Sequence, residues 1–156
     1  YTIDVTATNG IGTPGTQTLT VTVATAQVGR TAVSGSPVGT AAVFNPGAAG
    51  SLNPAQVATV DPFGVRGINV RTAVADVNGD GVDDVILVTG PGTPVKFAVV
   101  SGTDFRTVLV APTSPFAGSE NFTGGGFVAA GDFDGDGKAE VVVTPDEGGG
   151  PRVSIY

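Results

Sequence analysis

Cysteine, histidine and tryptophan do not occur in this 156-residue sequence. Without cysteine there are no disulfides and no thiolate metal sites, though this alone names no compartment, because sizeable secreted domains often dispense with them. Without histidine the usual general base, the Ser-His-Asp and Cys-His arrangements and the common zinc ligand disappear together. Positive charge is sparse as well. Arg30, Arg66, Arg71, Lys96, Arg106, Lys138 and Arg152 are the only basic residues and stand singly, so there is no footprint for a phosphate backbone or an anionic lipid surface. Nucleic acid is therefore not an expected partner. No run approaches the ~18 apolar residues of a membrane helix, so membrane insertion is not expected either. No signal peptide opens the sequence, which begins at Tyr1 already within a strand pattern and reads as a segment of a longer protein.

What is abundant is glycine, with 25 residues, beside 11 prolines and a hydrophobic share of 40%. The glycines recur periodically and separate runs rich in valine and threonine, which indicates turns between strands and not disorder. The chain reads as all-β. Two runs in residues 1–25, Tyr1 to Ala7 and Thr18 to Val23, are apolar at every second position, and the turn formers from Asn9 to Gly15 lie between them. This is the pattern of a hairpin. It resembles the last two strands of a bacterial immunoglobulin-like domain.

Residues 26–156 contain a repeat. Val70 to Gly81 matches Gly126 to Gly137, so that Asp132 follows Asp76 by 56 residues. At the same offset Val85 to Thr89 pairs with Val141 to Thr144, and Lys96 to Val100 with Arg152 to Tyr156. Going backwards, Ala41 to Phe44 falls on Phe97 to Val100, which gives a third, partial copy. In the middle copy, strands are expected near 70–75, 85–89, 95–101 and 106–111. Four short strands per copy are the mark of propeller blades, whereas a twisted sandwich of unrelated hairpins has no reason to repeat at constant offset.

Net charge is −7, and eight of the fourteen acidic residues fall in two nine-residue windows. The first places oxygen-bearing side chains at positions 1, 3, 5 and 9, namely Asp76, Asn78, Asp80 and Asp84, with Gly81 at position 6. The second places Asp132, Asp134, Asp136 and Glu140, with Gly137 at position 6. Alternate residues of a tight loop can aim their oxygens at one centre, and calcium, a hard cation, takes about six to eight of them. Position 7, Val82 or Lys138, would add a backbone carbonyl, so its side chain is free to vary. An EF-hand would need a glutamate at position 12 and a following helix, but Leu87 and Val143 stand there within strand-like runs. A solvated acidic turn is the plain alternative. Carboxylates converging in one loop repel one another without a cation, and the spacing occurs twice. Two calcium sites are expected.

The segments Asp76-Val77-Asn78-Gly79-Asp80-Gly81 and Asp132-Phe133-Asp134-Gly135-Asp136-Gly137 resemble the DxDxDG loops of FG-GAP repeats, also called VCBS repeats, which form the propeller heads of integrin α chains and occur in many secreted bacterial proteins. Gly90-Pro91-Gly92 and Gly148-Gly149-Gly150-Pro151 stand where the family has its "GAP" turn, and Phe63-Gly64 and Thr123 to Gly126 near its "FG" element. The copy at 27–69 departs in lacking an acidic loop. The resemblance implies a calcium-binding, non-catalytic module, secreted or at a bacterial cell surface, for adhesion or interaction with an unknown protein or glycan ligand, and completed by further blades or by self-association. Two other functions are open: a carbohydrate-binding propeller, although tryptophan for sugar stacking is absent, and the accessory region of a secreted polysaccharide-degrading enzyme. For catalysis the carboxyl groups left over, Asp4, Asp61, Asp104, Asp146, Glu120 and Glu147, form no recognisable pair. Arg71 and Arg152 read as solvated charges or as protection of strand edges.

Overall fold

The computed structural model describes residues 2–7, 15–20, 29–34, 37–47 and 51–156. Among them there is no helix, and twelve strands form four antiparallel sheets. Strands β1 (Thr2–Ala7) and β2 (Gly15–Thr20) pair from Thr2 opposite Thr20 to Ala7 opposite Gly15. The second strand begins three residues earlier than the alternation predicts. Residues 8–14 and 21–23 of the expected hairpin lie outside the described residues.

The other three sheets follow the repeat. The middle one is complete, with β6 (Val70–Ala75), β7 (Asp84–Thr89), β8 (Phe97–Val100) and β9 (Val108–Thr113) in that spatial order. Next comes β10 (Gly126–Gly131), β11 (Glu140–Pro145) and β12 (Ser154–Ile155). Both β10 and β11 stand 56 residues after β6 and β7, end for end. Before the middle sheet lie β3 (Thr31–Val33), β4 (Ala41–Pro46) and β5 (Leu52–Val60), which fall on β7, β8 and β9 at the same offset.

Strand ends shift from the sequence expectation for local reasons. β8 is shorter than 95–101 because the Val95 amide donates to Phe122 O at 2.9 Å, in the linker to the next sheet. β9 starts at 108, not 106, because the Asp104 carboxylate accepts the amides of Arg106 and Thr107 and holds both in the turn.

The sheets stack face to face, and β7 explains why. Val85, Ile86, Leu87 and Val88 form an unbroken apolar run, and every residue of β7 is buried. Ile86 and Val88 join Phe97, Val99, Val141 and Val143 in one core between the second and third sheets. Val85 and Leu87 join Ala41, Val43, Val60 and Val100 in the other, between the first and second. Successive side chains of a strand point to opposite faces, so an antiparallel strand apolar at every position needs a cover on each side.

Candidate metal centres

The first acidic loop joins β6 to β7 and the second joins β10 to β11. Each is folded by its own carboxylates. In the second loop Asp132 accepts the Gly135 amide at 2.7 Å and the Gly137 amide at 3.0 Å, Asp134 accepts that of Asp136 at 3.0 Å, and Asp136 that of Lys138 at 2.8 Å. In the first, Asp76 accepts the amides of Gly79 and Gly81, both at 2.7 Å. Asn78 accepts the Asp80 amide at 2.9 Å, and Asp80 that of Val82 at 2.9 Å. Position 6 is left-handed in both copies, with φ of 84° at Gly81 and 89° at Gly137, which a side chain with Cβ adopts only under strain.

The structure draws Asp132, Asp134 and Asp136 together, with one carboxylate oxygen from each within 4.8 Å of the others, all on exposed side chains. The donor set is oxygen throughout, which fits a hard cation and not a soft one. The first loop assembles Asp76 and Asp80 beside the neutral Asn78, whose amide nitrogen donates to Asp80 at 3.0 Å.

The ninth position has a second role that the spacing did not reveal. Glu140 accepts the Phe133 amide at 2.8 Å, and Asp84 accepts the equivalent Val77 amide at 3.1 Å, so both acids close their loops onto position 2. Asp84 is fully buried, and its other oxygen accepts the Gly102 amide at 3.0 Å. Burial pushes its carboxyl above the ordinary range, the amides of Gly102 and Val77 oppose that, and the charges of Asp80 and Asp76 add to the rise. Val82 and Lys138 sit at position 7 with their amides already bonded within the loop.

The two loops touch. The Ala139 amide donates to Asp76 O at 2.7 Å, and the aliphatic stem of Lys138 passes over Gly79. Further along the same interface Arg71 donates to Gly126 O at 2.7 Å and to Asp146 at 2.6 Å, with its guanidinium 4.0 Å from the centre of the Phe127 ring. This overturns the reading of Arg71 as a solvated charge: it joins two sheets. Arg30 does the same between the first and second sheets, donating to Asp83 O at 3.0 Å and Gly102 O at 2.7 Å above Phe105. Neither tie was legible, because each arginine's partners in the neighbouring sheet lie 53 residues or more away in sequence. Arg152 remains exposed and donates to Ser119.

The glycine-rich linker serves close approach. A Cβ on Gly125 would lie 2.7 Å from the Pro91 nitrogen, so only glycine lets this chain pass the turn of the preceding sheet. Its neighbour Thr123 accepts the Gly92 amide at 2.9 Å.

Stacked antiparallel blades with an acidic loop between their first two strands define a repeat-built, all-β protein. Residues 76–143, from the first acid of one loop to the strand beyond the other, match the family model described as FG-GAP-like repeat, and this stretch is an FG-GAP repeat region. Comparisons with curated proteins and with solved structures give no match. Among the described residues no helix is long and apolar enough to cross a membrane.

Proposed function

We propose that this chain is a calcium-stabilised, non-catalytic interaction module, working outside the cell, secreted or at a bacterial cell surface. Calcium binds at two sites. The second loop holds one ion through Asp132, Asp134, Asp136 and Glu140 with the Lys138 carbonyl, and the first holds another through Asp76, Asn78, Asp80 and Asp84 with that of Val82. The carrying observation is the convergence of the three aspartates of the second loop within an FG-GAP repeat region. Bound calcium offsets their mutual repulsion and fixes two loops that touch across neighbouring blades. The blades then present a rigid surface to a protein or glycan ligand. Residues 1–25 are read as the closing hairpin of an immunoglobulin-like domain.

Isothermal calorimetry tests the reading. Two uptake phases are expected with dissociation constants on the order of 0.1–1 mM, as for extracellular calcium modules, and the tighter belongs to the second loop because it offers four carboxylates against three. Asp136→Ala removes the tighter phase and leaves the weaker, and Asp80→Ala does the reverse. Magnesium competes poorly, since it demands a small octahedral cage and keeps its waters. Absence of calcium uptake up to about 10 mM, well above the assumed range, refutes the reading.

A further inference from the structure

Position 7 of each acidic loop enters the calcium reading only through its carbonyl, yet its side chain differs in kind, Val82 in the first loop and Lys138 in the second. The contact between the loops gives that difference a physical setting. The Ala139 amide donates to Asp76 O at 2.7 Å, which lays the end of the second loop against the first. One residue earlier, the Lys138 side chain lies on the neighbouring loop: a Cβ on Gly79 would stand 3.3 Å from its Cγ and 3.4 Å from its Cε.

Gly79 lies between Asn78 and Asp80, and its amide donates to Asp76 Oδ1 at 2.7 Å. The Lys138 ammonium is one bond beyond Cε, so it stands within a Debye length, about 10 Å at 0.1 M salt, of that carboxylate. Lys138 is exposed, and among the described residues it makes no ion pair. Its charge is bound to no single carboxylate and acts on the first loop through space. The repeat adds an independent observation. Residues 20–28, which stand 56 positions before the first loop, hold no carboxylate. The copy before Val82 thus carries no acidic loop, whereas the copy before Lys138 does. The cation occurs at the position 7 whose preceding copy is acidic, and an apolar residue at the other.

We propose that Lys138 is a built-in counter-charge for the first calcium site, supplied by the second loop. The proposal rests on the calcium reading and adds a residue that sets the affinity of one site. Without calcium, Asp76 and Asp80 repel each other, and the ammonium offsets part of that repulsion. With calcium bound, ammonium and ion are like charges a short distance apart, so the first loop holds its ion more weakly than its own ligands would. This acts in the same direction as the neutral Asn78 and widens the gap in affinity between the two sites.

The test uses Lys138→Met, which keeps the stem and removes the charge, beside Lys138→Arg, which keeps the charge. Calorimetry in the Asp136→Ala background reads the first site alone. There Lys138→Met is expected to tighten calcium binding by about threefold near 0.01 M salt, with the gain vanishing at 1 M, where the Debye length is about 3 Å. Lys138→Arg should bind as its parent does. Thermal melts of the full chain without the Asp136 substitution give a second readout. In chelator Lys138→Met should melt below wild type, and in about 10 mM calcium, well above the assumed dissociation constants, the difference should close or reverse. Calcium uptake that Lys138→Met leaves unchanged or weakens overturns the proposal while the calcium reading stands. So does a chelator melt equal to or above that of wild type, and so does a difference that calcium leaves untouched, since the stem would then be acting by packing. If Asp136→Ala takes up no calcium to about 10 mM, the calcium reading of the first loop has itself failed and the proposal falls with it.

Discussion

Asp84 and Glu140 occupy equivalent positions and make the same bond to the second residue of their loops, yet only Asp84 is fully buried with both oxygens bonded to amides. Removing it strands the buried Gly102 amide and the partly buried Val77 amide, each unpaired group costing about 1–3 kcal/mol. Asp84→Ala is therefore expected to destabilise the fold by about 2–4 kcal/mol in urea denaturation. The measurement belongs in chelator, so that a lost ion plays no part, and a loss under about 1 kcal/mol contradicts the assignment. Asp104 makes the opposite case. The Thr107 hydroxyl, followed by the amides of Thr107 and Arg106, holds its carboxyl down to about 2 from the ordinary 3.8. A carboxylate whose folded value is depressed adds stability above its unfolded value, and that stability is lost as pH falls through the folded one. The stability difference between wild type and Asp104→Asn should accordingly be full above about pH 4 and fade toward pH 2. A difference that stays constant across this window shows that the bonds do not depend on the charge.

At the level of elements, the sheets are joined by two devices: apolar faces and arginine ties. The faces supply most of the cohesion, because β7 gives alternate side chains to each neighbour and leaves none in water. The ties fix how the sheets meet. Arg71 reaches a carbonyl, a carboxylate and an aromatic ring of the next sheet at once. The carboxylate it pairs with, Asp146, is held below the ordinary range chiefly by that bond. Arg71→Ala is expected to cost about 1–2 kcal/mol, from one carbonyl bond and a cation–π contact besides the ion pair. Asp146→Ala should cost less, since it leaves the carbonyl bond and the ring contact in place. Equal losses in thermal or urea melts show instead that the ion pair alone matters.

Over the whole molecule, calcium enters as a ligand of the folded state only. At a few millimolar calcium and the affinities assumed above, linkage gives roughly 0.6–2 kcal/mol per site. The melting temperature should rise with calcium, and Asp136→Ala should blunt the rise more than Asp80→Ala. Because the Ala139 amide bonds Asp76 O across the two loops, the stabilisation is expected to appear in a single shared transition. Separate calcium-dependent and calcium-independent transitions show instead that the loops melt apart from the stack.

The sequence by itself determined the all-β class, the 56-residue repeat, the limits of β6 and the two acidic loops. These rest on local physics: alternation, turn residues, and like charges spaced to meet in one bend. It also carried the signal for a strand covered on both sides, in the run Val85 to Val88. Only the tertiary structure decided that Asp84 turns into the protein toward Gly102, that Arg30 and Arg71 tie neighbouring sheets, and that Thr123 to Gly126 is glycine-rich to pass the turn of the preceding sheet. The arginine ties depend on residues brought near by stacking, at separations of 53 to 75 positions, and Asp84 depends on Gly102, 18 positions on, brought beside it by the pairing of β7 with β8. Local pattern fixes which face of a strand is apolar, but which face it meets is settled only when the sheets pack.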